Sequence, residues 1–199
     1  VYLRSPEGHL RTVAGTGDGG GPEVGGLATQ QPITPSSIVA RADGTLVMSA
    51  ADNKLGGAVF EVDPRSGVVS LLATLEPFEF GQQGISIEAL PLAIDELGRV
   101  VIAGPGFVAV EEPGDLSVLP GFTVFFLDSD APSAVASVSA TEVAIGGSGT
   151  LLRATLDFAT ATNTAVNVEV AKGSLRGLLV VNGGVLMSSR KGIDRIMRF

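Results

Sequence analysis

The apolar residues of this chain fall in short runs broken by turns, and no window longer than a few residues shows helical spacing. Four segments share one layout: an apolar run, a turn and a second apolar run. They are SIVARADGTLVMSA from Ser37, PLAIDELGRVVIAG from Pro91, AVASVSATEVAIGG from Ala134 and GLLVVNGGVLMSSR from Gly177. Aligning their turns superposes Gly44, Gly98, Thr141 and Gly184, which lie 54, 43 and 43 residues apart. A third run begins near Phe107, Thr150 and Ile193, and at Ala58 in the first unit, where ADNKLGG (51–57) lengthens the loop. A fourth begins at Val68, Leu116 and Thr164, the second of these reading LSVLPG.

The pattern predicts an all-β chain of four-stranded antiparallel units with a propeller-blade period. Asp-Gly and Gly-Gly in RADGT and VNGGV supply the positive φ that tight hairpins require. TLVMSA, VVIAG and VAIGG are apolar or small throughout, as in strands buried on both faces between stacked sheets, whereas VFEVD and LLRATLD alternate. Read as one propeller domain over 1–199, the chain has the end of a blade at 1–14. Blades follow at 33–75, 91–120 and 134–170, with an incomplete one at 175–199. That is about four blades, with one strand more than a closed four-bladed ring would use. The expectation is therefore a fragment of a larger ring, whose remainder or a neighbouring chain covers the open edges.

Residues 12–67 resemble an NHL repeat of the bacterial secreted type. The matching elements are Val13-Ala14-Gly15, the glycine-rich stretch Gly25 to Ala28, Pro35 to Ala40, Asp43-Gly44, Ala51-Asp52-Asn53, and Val62-Asp63-Pro64 with Gly67. Beyond residue 91 the likeness weakens to strand pattern. The aromatic residue usual after the DG-x-L element is replaced by Val47 and Met48, and the basic pair after Asn53 is reduced to Lys54. The resemblance implies six-bladed propellers that act mainly as extracellular or sensor domains binding proteins, glycans or small ligands. A minority of related propellers are lyases or hydrolases.

Candidate chemistry is sparse. Gly15, Gly17 and Gly20 fit G-x-G-x-x-G, yet Pro22, Gly25 and Gly26 oppose the helix that a dinucleotide site needs, so the stretch is expected to be a connector. GGSGT (146–150) lacks the last glycine of a nucleophile elbow, and the only histidine is His9. Ser148 therefore reads as a turn residue. With a single His and no Cys, no cofactor is expected and no metal site is assigned; Asp128, Asp130, Asp52 and Asn53 are the only oxygen-ligand candidates for Ca²⁺. Glu111, Glu112 and Asp115 read as a charged rim. Phe78, Phe80, Phe122, Phe125 and Phe126 are expected in connections between blades, as plugs or as an interaction surface.

A net charge of −8 with 13 scattered Lys and Arg argues against a nucleic-acid partner. The basic group Arg190, Lys191, Arg195 and Arg198 reads as a solvated face. No run approaches the length of a membrane helix, so no membrane insertion is expected. The expectation is a non-catalytic binding or scaffold module for a protein, glycan or small ligand, in a secreted or surface protein. Two alternatives stand beside it. One is a piece of a propeller lyase or lactone/ester hydrolase with its catalytic residues mostly elsewhere; the other is a self-sufficient four-bladed lectin-like ring.

Overall fold

A computed structural model describes residues 1–52, 56–75, 90–112, 121–127, 132–181, 184–189 and 192–198. Among these, every regular element except a 3-10 turn at Ala28–Gln30 is a β-strand. The chain divides into two compact units, Val1–Ala89 and Leu90–Phe199.

In the first unit, β1 (Tyr2–Arg4) pairs antiparallel with β2 (Leu10–Thr12). A meander of β3 (Pro35–Ala40), β4 (Leu46–Asp52), β5 (Gly56–Val62) and β6 (Val69–Leu75) follows, its spatial order the same as its chain order. The β3–β4 hairpin closes through Arg41 N to Thr45 O (2.9 Å), with Gly44 at φ +90°. The same closure recurs in the second unit, where Asp95 N donates to Arg99 O (3.0 Å) and Gly98 sits at φ +81°. The two glycines aligned by sequence thus do the same work.

The second unit opens with β7 (Leu92–Ile94), β8 (Val100–Gly104), β9 (Phe107–Glu111) and β10 (Phe122–Phe126), again a meander. A second sheet holds β11 (Ala134–Ser139), β12 (Glu142–Gly146), β13 (Ser148–Asp157), β14 (Thr162–Val181), β15 (Gly184–Ser189) and β16 (Gly192–Arg198). Two boundaries differ from the sequence reading. The strand that pairs with β9 is FTVFF rather than LSVLPG, so the unit expected at 91–120 extends to Phe126; residues 113–120 lie outside those described. FTVFF reads as a strand because Phe125 and Leu127, two residues apart on one face, have a core to enter, while Phe122 is buried on the other face. Second, no loop separates 170 from 175. β14 runs unbroken, paired with β13 from Thr162 to Glu169 and, past a register shift, at Ser174, and with β15 from Leu175, since its sequence holds no Pro or Asp-Gly to stop it.

Packing follows the two-residue period of a strand. Along β12, Val143 and Ile145 join Val101, Ala103, Val108, Val110 and Phe125 of the β7–β10 sheet in one core. Ala144, between them, faces the other way, into a core with Leu151, Leu175, Val185 and Met187. Both faces of the strand are therefore buried, which is why VAIGG carries no charge. In the first unit Met48, Phe60, Val62 and Val69 form a core with Ala14, Ala28 and Ile33 from the long connection.

Gly98 isolates the backbone requirement of the hairpin, because a Cβ added there would meet no atom within 4 Å. Gly98→Ala is expected to cost about 1–2 kcal/mol through conformation alone, read as a lower urea midpoint at unchanged m-value. An unshifted midpoint would remove the positive-φ turn from the account.

Candidate functional site

The glycine-rich stretch has a structural use. Gly15, Gly17, Gly20 and Gly25 all adopt positive φ, and no α-helix follows Gly20. Gly15 N donates to Ala28 O (2.8 Å), Thr16 N to Gln31 O (3.0 Å) and Thr34 N to Gly20 O (3.1 Å). Gly25 N and Gly26 O clasp the two backbone groups of Val69, and Ala28 N reaches Gly67 O at 2.8 Å. The loop ties itself to the start of β6. The amides of Gly15, Thr16, Gly20 and Gly25 face the loop's own chain, where a dinucleotide loop would aim them at a pyrophosphate.

The densest polar constellation among the described residues centres on Arg99. Asp95 begins the β7–β8 turn, and its Oδ1 accepts the backbone N–H groups of Leu97 (2.9 Å) and Arg99 (2.8 Å). Its Oδ2 takes Arg99 Nε at 2.6 Å, and the Asp95 side chain is only 2% exposed. The same guanidinium gives Nη1 to Glu112 Oε1 (2.6 Å) and Nη2 to Ala140 O (2.5 Å) in the β11–β12 turn. It also lies 4.6 Å from the centroid of Phe158, whose ring meets Phe125 edge-on at 5.1 Å. In return, Ala140 N donates to Glu96 Oε1 at 3.0 Å. Arginine suits this place because its fork can serve three acceptors while its flat face rests on an aromatic ring. The cluster fastens one sheet to the next.

Elsewhere the charged groups hold turns or bridge strands. Arg41 pairs with Glu61 (2.7 Å), and Arg153 pairs with Glu142 across β12 and β13. Asp43, Asp63 and Asp157 sit in exposed turns, with carboxyls held below the ordinary value of 3.8. The chief causes are the Thr45 backbone N–H, the Ser66 backbone N–H and the Thr160 hydroxyl respectively.

The sequence candidates scatter. Asn53, Phe78, Phe80, Asp115, Asp128 and Asp130 lie outside the described residues; Asp52 ends β4. Phe122 and Phe125 are buried strand residues rather than loop residues, and only Phe126, 56% exposed, presents a surface. His9 sits in the β1–β2 turn, its backbone N–H donating to Ser5 Oγ at 3.2 Å. Ser148 begins β13, its backbone opposite Ser174, so it belongs to the ladder and not to a turn. Glu111 accepts Val100 N (3.0 Å) and Glu112 is ion-paired, so these two are not a purely solvated rim. Sequence reasoning missed Arg99; the signal was the D-E-L-G-R spacing, which sets Asp95 and Arg99 on either side of one hairpin tip.

No protein-family model and no curated protein matches this sequence. Solved structures do. The chain is similar to the WD40 repeats of RRP9 (TM-score 0.56, 13% identity, 79% of this chain and 45% of that one). It is similar to virginiamycin B lyase from Staphylococcus aureus (TM-score 0.53, 9% identity, 100% and 61%). It is also similar to the extracellular domain of BT4673 from B. thetaiotaomicron (TM-score 0.52, 16% identity, 81% and 19%). The fold is that of a β-propeller. The chain spans less than two thirds of the length of each of these structures.

Removing the Arg99 guanidinium leaves the enclosed Asp95 carboxylate without its ion pair. Arg99→Met is expected to destabilise the second unit by about 3–5 kcal/mol. Arg99→Lys should recover only part of this, and Asp95→Asn added to Arg99→Met should recover some. A denaturant double-mutant cycle measures the coupling, and independent, additive losses would overturn the clamp.

The turn aspartates give an acid dependence. Since their folded-state carboxyls titrate below 3.8, their contribution is complete above the ordinary carboxylate range and is lost as pH falls through the lowered values. The triple change Asp43→Asn, Asp63→Asn, Asp157→Asn should flatten the fall in thermal midpoint as pH drops below the ordinary carboxylate range. An unchanged acid limb would refute this.

Proposed function

We propose that this chain is a recognition module built from NHL-type blades, non-catalytic, and working within a larger secreted or surface protein. The observation that carries this reading is the engagement of Asp95, Arg99, Glu96 and Glu112 in joining one sheet to the next. Groups so held build a rigid scaffold, and scaffolds of stacked sheets present their connections for binding. The NHL reading gains support from the clasp of Gly25–Ala28 on Gly67–Val69, because the glycine-rich element and the V-D-P-x-S-G element of the motif meet there. Extracellular placement is supported by the likeness to the extracellular domain of BT4673, at the level of fold. The ligand class is a protein surface, a glycan or a small molecule, and the remainder of a ring or a neighbouring chain covers the open strand edges.

Incubating residues 1–199 with arrays of glycans and of extracellular protein domains tests this. The expected result is saturable binding whose hydrogen-exchange footprint falls on connections between strands. Turnover of a lactone or ester panel, lost on substitution of a single residue of this chain, would instead establish an enzyme; fold likeness to virginiamycin B lyase is the only support for that reading.

A further inference from the structure

Charge is shared unevenly along the chain. Residues 1–169 carry 7 Lys and Arg against 20 Asp and Glu, whereas residues 170–199 carry 6 against 1. The cationic stretch holds the second half of β14 together with β15 and β16, neighbouring strands of one sheet. Six like charges on so short a stretch repel one another, and a chain of net charge −8 does not need them for solubility.

Two of these cations stand where the ladder breaks register. Ser148 is opposite Ser174 and Thr150 is opposite Glu169, so β14 advances five residues while β13 advances two, and Lys172 falls in the excess. Leu175 is opposite Ser189 and Gly177 opposite Ser188, which leaves Arg176 as the extra residue of a bulge. A bulged residue escapes the alternation that would commit it to one face of the sheet, and such places recur beside binding sites. Arg195 lies opposite Met187 on β16, the last strand of this sheet among the described residues. The neighbouring positions Gly173, Ser174, Gly177, Ser188 and Ser189 are small, so they add no bulk to screen a cation from an approaching anion. Arg190 and Lys191, between the paired Ser189 and Gly192, lie outside the described residues.

We propose that the juxtaposition of Lys172 and Arg176 at the bulges of β14 with Arg195 on β16 is a binding strip for an acidic polysaccharide. Four residues of strand separate Lys172 from Arg176, roughly 13 Å, and two strand spacings separate β14 from β16, roughly 10 Å. A single sulfate or phosphate ion cannot meet three cations so spaced, whereas sulfates or carboxylates repeated along a sugar chain can. A narrow flexible chain also follows the strip without pressing on the strongly acidic remainder of the protein, which a broad acidic protein face would do. Single-stranded nucleic acid is served by aromatic stacking as well as by charge, and residues 170–198 contain no aromatic side chain. This narrows the ligand class of the recognition module and rests on that reading.

Residues 1–199 are titrated with dextran sulfate, and with neutral dextran, polyglutamate and oligodeoxythymidine as comparison probes. The expected result is saturable binding of dextran sulfate, hydrogen-exchange protection within 170–177 and 188–195, and an affinity whose logarithm falls linearly with that of salt concentration. Lys172→Gln, Arg176→Gln, Arg195→Gln together should weaken binding about tenfold or more and make the salt slope shallower by about one for each cation removed. Arg4→Gln, Arg11→Gln, Arg65→Gln lowers the net charge equally and should leave both unchanged. Lys172→Gln with Arg176→Gln alone, both outside the paired ladder, keeps the test open if Arg195→Gln unfolds β16. Absence of saturation, or equal weakening by the two triple changes, would overturn the strip while leaving other ligands of the module open. Equally tight binding of any comparison probe would overturn the ligand class, and self-association at low salt that dextran sulfate reverses would assign the strip to a second copy. Ester or lactone turnover would unseat the recognition reading without altering dextran sulfate binding.

Discussion

Burial of both faces of each inner strand governs this molecule. A four-stranded meander has two faces, and here neither can stay in water: alternate residues of β12 enter two different cores. A sheet of that kind has no stable existence alone and gains its stability from its neighbour. The composition follows. The inner strands β8 and β12 hold only Val, Ala, Ile and Gly apart from Glu142 at a strand end, and β4 adds Leu46, Met48 and Ser49 with its one charge, Asp52, at its end.

Apolar stacking fixes how close two sheets lie but is tolerant of sliding, since one Val resembles another along the strand. Directional contacts at the strand ends remove that freedom in the second unit. Arg99 reaches across to Ala140 O and Phe158, Glu96 reaches to Ala140 N, and Asn163 Nδ2 donates to Phe126 O at 2.7 Å. Each contact is satisfied at one offset only, so the polar groups select the register that the hydrophobic core would leave loose.

The hairpins β1–β2 and β5–β6 separate local from long-range determinants. Antiparallel pairing, a proline in the turn and a positive-φ glycine before the second strand are common to β1–β2 and β5–β6, although the β1–β2 turn is one residue shorter. These are set within about a dozen residues of chain. Whether a side chain at a given ladder position is buried is set by strands far away, which explains how Tyr2 and Phe60 share a ladder position and differ wholly in exposure.

Most hairpin positions and the repeat were legible in the sequence, because a two-residue alternation and an Asp-Gly turn are local instructions. The connector role of the glycine-rich stretch was legible too, since Pro22 and the paired glycines forbid a helix wherever the segment lies. The strand at Phe122–Phe126 was not: FTVFF is apolar enough for a loop plug or a strand, and only its pairing with β9 and the pocket for Phe125 beside Phe158 distinguish them. Nor was the unbroken course of β14, which depends on two sheets accepting the same strand. The role of Arg99 lay furthest from the sequence, because its carbonyl and aromatic partners come from residues some forty to sixty positions away and meet it only when two sheets stack. Local residues thus decided what each segment becomes, and tertiary contact decided which polar side chains are held together, because a charge finds its partner only after the chain has brought distant turns within a few ångströms.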